Sequence, residues 1–192
     1  MSIGKIGVVG AGTMGNGITQ VFAVAGREVV IMDVGEAQVQ RGLATISASL
    51  DRLIKKDKMS VEQKAAAMAC ITTVTSLDAL GDCDLVIEAA TENVDLKLRI
   101  FADLDRLVKP EAILASNTSS ISITRLAAGT QRPGQVIGMH FFNPVPVMAL
   151  VELINGLQTS AATYAAVEEV AKAIGKTPIK VKNSPGFVVN RM

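Results

Sequence analysis

His140 is the only histidine in the chain, and it stands near the end of an apolar run, Gln135 to Phe141, just ahead of Phe142, Asn143 and Pro144. A little further on, Glu152 interrupts a second apolar run, Ala149-Leu-Val-Glu-Leu-Ile154. A carboxylate inside such a run is expensive to bury unless it is paired. The lone imidazole is its natural partner. Histidine exchanges a proton near neutral pH, and a carboxylate behind it selects the tautomer and stabilises the imidazolium. Positioned acid–base groups of this kind contribute about 10²–10⁴-fold to a rate. The hydroxyls and amides of Ser116-Asn117-Thr118-Ser119-Ser120 could hold a reacting oxygen in line. Neither serine region carries the G-x-S-x-G turn of a hydrolase. The pattern suits instead the oxidation of an alcohol, in which the base takes the hydroxyl proton and a hydride acceptor takes the hydride from the carbon.

The N-terminus supplies a place for that acceptor. Lys5-Ile-Gly-Val-Val is strand-like and runs into Gly10-Ala-Gly12-Thr13-Met14-Gly15, after which a helical pattern begins. A glycine pattern in this context is a dinucleotide-binding fingerprint. Gly10 permits the tight turn, Gly12 admits a pyrophosphate close to the backbone, and Gly15 lets helix and strand pack together. The helix end then offers unpaired N–H groups and a positive dipole to the phosphates. A second run, Glu28-Val-Val-Ile-Met, ends on Asp33, the spacing at which an acid binds the adenosine ribose hydroxyls. Val34, Gly35 and Glu36 provide no arginine for a 2′-phosphate, so the expected cofactor is NAD rather than NADP.

Positioning these groups requires a sheet. Strands are expected at 71–75, 84–88, 112–115, 135–141, 149–154 and 178–182, in addition to the first two. One long helical region is expected from Glu36 to Cys70, with Val39, Leu43, Ile46, Leu50 and Leu53 forming its apolar stripe. Further helices are expected from Leu96 to Val108, stopped by Pro110, and near Ala161–Ile174. The alternation predicts an α/β, Rossmann-type, mostly parallel twisted sheet with helices on both faces and a helical excursion after the second strand. Asp33, Glu88, Ser116 and Phe141 fall at carboxyl ends of strands, where ligands bind in open sheets. The 192 residues suffice for one well-packed domain.

Composition removes several alternatives. A formal charge of +1, 3% aromatic residues and no tryptophan give no basis for nucleic-acid binding. Cys70 and Cys83 are far apart and only one histidine exists, which argues against a zinc site. No run is apolar for long enough to span a bilayer and the first residues do not read as a signal peptide, so a cytoplasmic location is expected.

These motifs together resemble the N-terminal domain of the 3-hydroxyacyl-CoA dehydrogenases, particularly the short-chain 3-hydroxybutyryl-CoA enzymes. The carriers are GAGTMG, Ala115-Ser-Asn-Thr-Ser-Ser120, Gly138-Met-His-Phe-Phe-Asn-Pro-Val-Pro146, Leu150-Val-Glu152 and Ser184-Pro-Gly-Phe-Val-Val-Asn-Arg191. The resemblance implies reversible NAD-dependent oxidation of an (S)-3-hydroxyacyl-CoA to the 3-oxoacyl-CoA. His140 would be the base and Glu152 its partner. Ser119 and Asn190 would orient the substrate oxygen, and Asn143 would help hold the histidine region. Glu92, Lys97 and Asn117 would surround the nicotinamide and its ribose, with Gly10, Gly12, Thr13, Met14, Gly15 and Asp33 on the rest of the cofactor. Ser49 and Lys56 would touch coenzyme A. By charge alone, Lys55-Lys56-Asp57-Lys58 serves equally as a phosphate contact or as a solvated helix end. The resemblance further implies a catalytic domain over 1–183, with 184–192 leading into an all-helical domain that forms a homodimer. An isolated N-terminal domain is then expected to bind NAD and to turn over poorly. A sugar-acid dehydrogenase of the gulonate type would share the fold and catalytic groups, but Phe141 and Phe142 favour acyl-CoA. A non-catalytic NAD-binding module would have no use for Ser119, His140, Glu152 and Asn190 together.

Overall fold

The computed structural model describes residues 3–182. Two of the expected features outside that range, Asn190 and the connection at 184–192, therefore lie beyond the described residues.

Eight strands form one sheet: β1 (Lys5–Val9), β2 (Glu28–Met32), β3 (Ile71–Val74), β4 (Leu85–Glu88), β5 (Ile113–Ser116), β6 (Val136–Phe141), β7 (Leu150–Asn155) and β8 (Thr177–Lys182). Their spatial order is β3-β2-β1-β4-β5-β6-β7-β8. All neighbouring pairs are parallel except β6 and β7. Helical connections join the successive strands up to β6, and another helix joins β7 to β8. The link between β6 and β7 covers only residues 142–149, too short for a crossover, so these two strands run antiparallel. The strand order reverses at β1 and β4, the switch point at which open sheets bind ligands.

Alternate residues of each central strand go to opposite faces. Leu85 and Ile87, Ile113 and Ala115, Met139 and Phe141 join one core with Ile18 and Phe22 of α1 (Thr13–Val24), Ile46 and Leu50 of α2 (Glu36–Ile54), and Ala67 of α3 (Val61–Ala69). Val86, Leu114 and Val136 join the other, against Phe101 and Leu104 of α4 (Val94–Leu107) and Ile123 and Leu126 of α5 (Ile123–Ala128). Val167 and Val170 of α6 (Ala161–Ala173) complete the first face. Burying each such side chain contributes about 1.5–3 kcal/mol.

The expected helix over 36–70 is two helices. Asp57 adopts a left-handed conformation with φ 53°, which ends helical hydrogen bonding inside the Lys55–Lys58 cluster. Ser60 then opens α3 with a reciprocal cap: its Oγ accepts the Gln63 N–H, and Gln63 Oε1 accepts the Ser60 N–H. α4 begins at Val94, two residues before the expected start, because Asn93 caps it through the Leu96 N–H. The short α5 has no sequence counterpart among the expected elements, because six residues are too few for a helical period to register.

Candidate active site

The glycine turn is built as its sequence demands. Gly10 has φ +101°, and a methyl on it would meet the Ala90 Cα at 2.7 Å. A methyl on Gly15 would sit 1.7 Å from the Gly10 carbonyl oxygen, so α1 packs directly on the turn. Gly12 is different: a methyl there meets nothing within 4 Å. It opens onto a crevice of about 360 Å³ lined by Gly12, Thr13, Asn16, Asp33 and Arg41. No side chain caps α1 and no acid occupies its first turn. Its first N–H groups and dipole are therefore disposed toward an anion at that point.

Asp33 follows β2 and closes one side of the crevice. Its Oδ2 accepts the Ala11 N–H at 2.8 Å and its Oδ1 accepts the Val34 N–H at 2.8 Å. The acid thus braces the turn as well as lining the crevice. No cation follows Asp33 among Val34, Gly35 and Glu36, but the fold delivers Arg41 to the same crevice from α2. That residue lies too far along the chain for a local motif to flag.

On the other side of the turn is a smaller crevice, about 210 Å³, lined by Met14, Ala89, Ala90, Glu92, Lys97 and Asn117. The two crevices flank the turn at the switch point, as the two halves of a dinucleotide require. Asp33, the uncapped helix end and the open cradle at Gly12 fit that ligand.

The loops after β4 and β5 are tied together here. Glu92 Oε1 accepts the Ser119 N–H at 3.0 Å and its hydroxyl at 3.3 Å, while Oε2 accepts the Thr118 hydroxyl at 2.7 Å. Asn117 Oδ1 accepts the Phe141 N–H at 2.8 Å, joining this loop to the end of β6. His140 and Glu152 are directly opposed across β6 and β7. Their side chains meet, with Nδ1 to Oε2 at 2.8 Å; the carboxylate is fully buried and the imidazole only 7% exposed. The Phe142 ring lies beside the imidazole, 4.7 Å between centroids. Asn143 follows on the exposed loop after β6. That loop is held by Lys176, a buried lysine whose Nζ donates to the carbonyls of Val145 (2.5 Å) and Met148 (2.7 Å). Burial lowers the Lys176 pKa.

Gly10, Gly12, Thr13, Met14, Gly15, Asp33, Glu92, Lys97, Asn117, Ser119, His140 and Glu152 thus gather along the carboxyl ends of β1, β2, β4, β5 and β6. Ser49 and Lys56 do not: they sit on α2 and in the turn after it. Among the described residues no side-chain hydrogen bond or ion pair links them to the crevices. Glu88 and Ser116 were visible only as strand ends. In the structure they form a buried cluster with Lys97, whose sole sequence signal is an acid closing an apolar strand ahead of a lysine.

A doubly wound sheet with a crevice on each side of a glycine turn is the architecture of a dinucleotide-binding domain. The family model of the 3-hydroxyacyl-CoA dehydrogenase NAD-binding domain matches residues 5–184, and the chain belongs to that family. It is 50% identical over 190 residues to 3-hydroxybutyryl-CoA dehydrogenase of Bradyrhizobium diazoefficiens, covering 99% of this chain and 65% of that protein. The crystal structure of (S)-3-hydroxybutyryl-CoA dehydrogenase from Ralstonia eutropha superposes with a TM-score of 0.98 at 62% identity, over 100% of this chain and 68% of that one. A 3-hydroxyadipyl-CoA dehydrogenase of Escherichia coli is 39% identical over 100% of this chain and 40% of its own length. The chain spans about two thirds of the length of the 3-hydroxybutyryl-CoA dehydrogenases it matches. Among the described residues no helix is long and apolar enough to cross a membrane.

Proposed function

We propose that this chain is the cofactor-binding and catalytic domain, over 1–183, of an (S)-3-hydroxyacyl-CoA dehydrogenase that interconverts 3-hydroxybutyryl-CoA and acetoacetyl-CoA. The observation that carries this reading is the buried His140–Glu152 pair, linked through Phe141 and Asn117 to the crevice beside the glycine turn. NAD, when bound, supplies the hydride acceptor. With Nδ1 held by Glu152, His140 uses Nε2 to take the proton of the 3-hydroxyl, and the carboxylate stabilises the resulting imidazolium. In the reductive direction the same nitrogen returns the proton to the 3-oxygen. Ser119 and Asn190 orient that oxygen, and Asn143 supports the histidine loop. Glu92, Lys97 and Asn117 frame the nicotinamide half of the cofactor; Asp33 and the glycine turn hold the adenosine half and the pyrophosphate. Ser49 and Lys56 meet coenzyme A. The residues from 184 onward lead to a helical domain through which the enzyme forms a homodimer, and the protein works in the cytoplasm.

The test is an NADH titration of this chain followed by NADH oxidation with acetoacetyl-CoA and, separately, with free acetoacetate. The reading requires NADH to bind better than NADPH, and the thioester to be the better substrate. Substituting His140→Ala in an enzyme that carries the helical domain should leave NADH binding intact while removing turnover. Equal use of the free acid would move the substrate class, and undiminished turnover by H140A would reject the assignment of the base.

A further inference from the structure

Glu88, the last residue of β4, is fully buried and is the meeting point of four donors. Oε2 accepts from the Lys97 ammonium and from the Ser116 hydroxyl at 3.1 Å. Oε1 accepts the Ala90 N–H at 2.9 Å and, more weakly, the Thr91 N–H at 3.4 Å. Lys97 is 1% exposed and Ser116 not exposed at all. A buried ion pair adds little to stability beyond what an apolar pair of like volume would supply. The pair's other connections show what it can do instead.

Glu88 is level with Val9 of β1 on one side and Ser116 of β5 on the other, so it sits at the switch point itself. The loop it holds through Ala90 and Thr91 is the one that presses on Gly10. Ser116, while donating to Glu88, accepts the Thr118 N–H at 3.2 Å and so sets the start of the loop that carries Ser119. Lys97 reaches the carboxylate from α4 while lining the smaller crevice with Ala90, Glu92 and Asn117. One carboxylate therefore fixes an ammonium and two loops at the edge of a single crevice.

We propose that Glu88 is a positioning residue for the nicotinamide-side half of the cofactor site, acting through Lys97, which it holds at the crevice beside the second ribose. This role rests on the cofactor reading above. It separates the two halves of the site, because the adenosine crevice with Asp33 lies across the glycine turn and shares none of these contacts.

The experiment measures binding of NADH, ADP-ribose and AMP to this chain and to its Glu88→Gln, Lys97→Met and E88Q/K97M variants. The glutamine keeps an acceptor for the Ala90 and Thr91 N–H groups but loses the charge that holds Lys97. E88Q and K97M are each expected to weaken NADH and ADP-ribose by about tenfold to a hundredfold, the worth of one charge-assisted hydrogen bond, and to leave AMP unchanged. The double variant, which buries no unpaired charge and so keeps folding secure if E88Q does not fold, should bind all three like K97M alone. Additive losses in the double variant overturn the action through Lys97, and AMP weakening in step with NADH reduces Glu88 to a general structural role and overturns the proposal. A wild-type chain that binds none of the three ligands overturns the cofactor reading and this role with it. Wild-type and variant chains that bind NADH equally overturn this role alone.

Discussion

Gly12 offers a way to separate binding from folding. In Gly12→Ala the new methyl meets nothing within 4 Å, and the backbone there, φ −70° and ψ −167°, suits any residue. Stability should scarcely change: restricting the unfolded chain gains about 0.4–1 kcal/mol, and the poorer helix cap loses a similar amount. Binding should suffer, because the methyl occupies the space through which a pyrophosphate reaches the first N–H groups of α1. Losing two hydrogen bonds to a charged phosphate, at about 1.5–3 kcal/mol each, comes to roughly 3 kcal/mol or more. That is about a hundredfold or more in Kd. NADH fluorescence titration reads the affinity and thermal denaturation reads the stability. An unchanged melting temperature with a hundredfold weaker Kd is the expected pair of results. Gly15→Ala is the control, since its methyl would collide with the Gly10 carbonyl at 1.7 Å and must lower both together. If G12A binds NADH within threefold of the wild type, the pyrophosphate does not cross the turn at Gly12 and the argument for the cradle fails.

Glu152→Gln keeps the volume but removes the charge behind His140; hydride transfer to acetoacetyl-CoA is expected to fall by about 10²–10⁴-fold in single turnover, with NADH binding within threefold of wild type. Asp33→Ser removes the charge that repels a 2′-phosphate in the crevice that also holds Arg41, so NADPH should bind better and NADH worse, bringing their Kd ratio at least about tenfold closer to one. Burial pushes the Cys83 thiol up to about 12, whereas Cys70 is only half-buried. A thiol reagent at pH 8 should therefore label Cys70 alone in the native chain, and both cysteines in denaturant. For Asp84, burial works to raise the carboxyl, but Lys109 and the N–H groups of Lys5 and Gly4 outweigh it and hold the group below its ordinary value. A depressed carboxyl stabilises above its unfolded pKa of about 3.9 and ceases to do so as pH falls through the lower folded value. Asp84→Asn should thus lower the melting temperature by about 3–6 °C at pH 7, the two proteins converging below about pH 4.

The strands and the glycine turn were legible because a buried strand writes itself as a short apolar run, and because the turn's chemistry is local. For Glu152 the sequence offered His140 only as a candidate partner, because a lone acid in a buried strand has few ways to be satisfied; the contact itself depends on the pairing of β6 with β7. Elsewhere the pattern misled. Leu43 through Leu53 carried a helical period smoothly up to the lysines, and only the left-handed Asp57 and the Ser60–Gln63 cap reveal the break. The Glu88 cluster could not be assembled from the sequence, since its members come from β4, α4 and β5 and the one local signal is an acid closing an apolar strand ahead of a lysine. Arg41 was overlooked for the same reason: helix α2 carries it back to a crevice that the residues after Asp33 only begin.

The chemistry of this sheet follows from parity. Glu88, Ser116, His140 and Glu152 each share a face with Val86, Leu114, Val136 and Ile154, the face that α4 and α5 cover. Four successive strands therefore turn a polar residue toward the same side near one end of the sheet. Along parallel β4 and β5 this needs only equal lengths, and Glu88 is indeed level with Ser116. For His140 and Glu152 it needs more, because β7 runs the other way and a slip of one residue would send the carboxylate to the opposite face. The short 142–149 connection limits that slip, and its two carbonyls held by Lys176 limit it further. The Phe141 N–H, bound to Asn117, fixes the end of β6 from the loop after β5. The His140–Glu152 pair is thus aligned by backbone restraints that come from β8's approach on one flank and from the loop after β5 on the other. A mutation at either flank can therefore disturb the alignment of the pair, and with it the proton transfer proposed for it, without touching the histidine or the carboxylate.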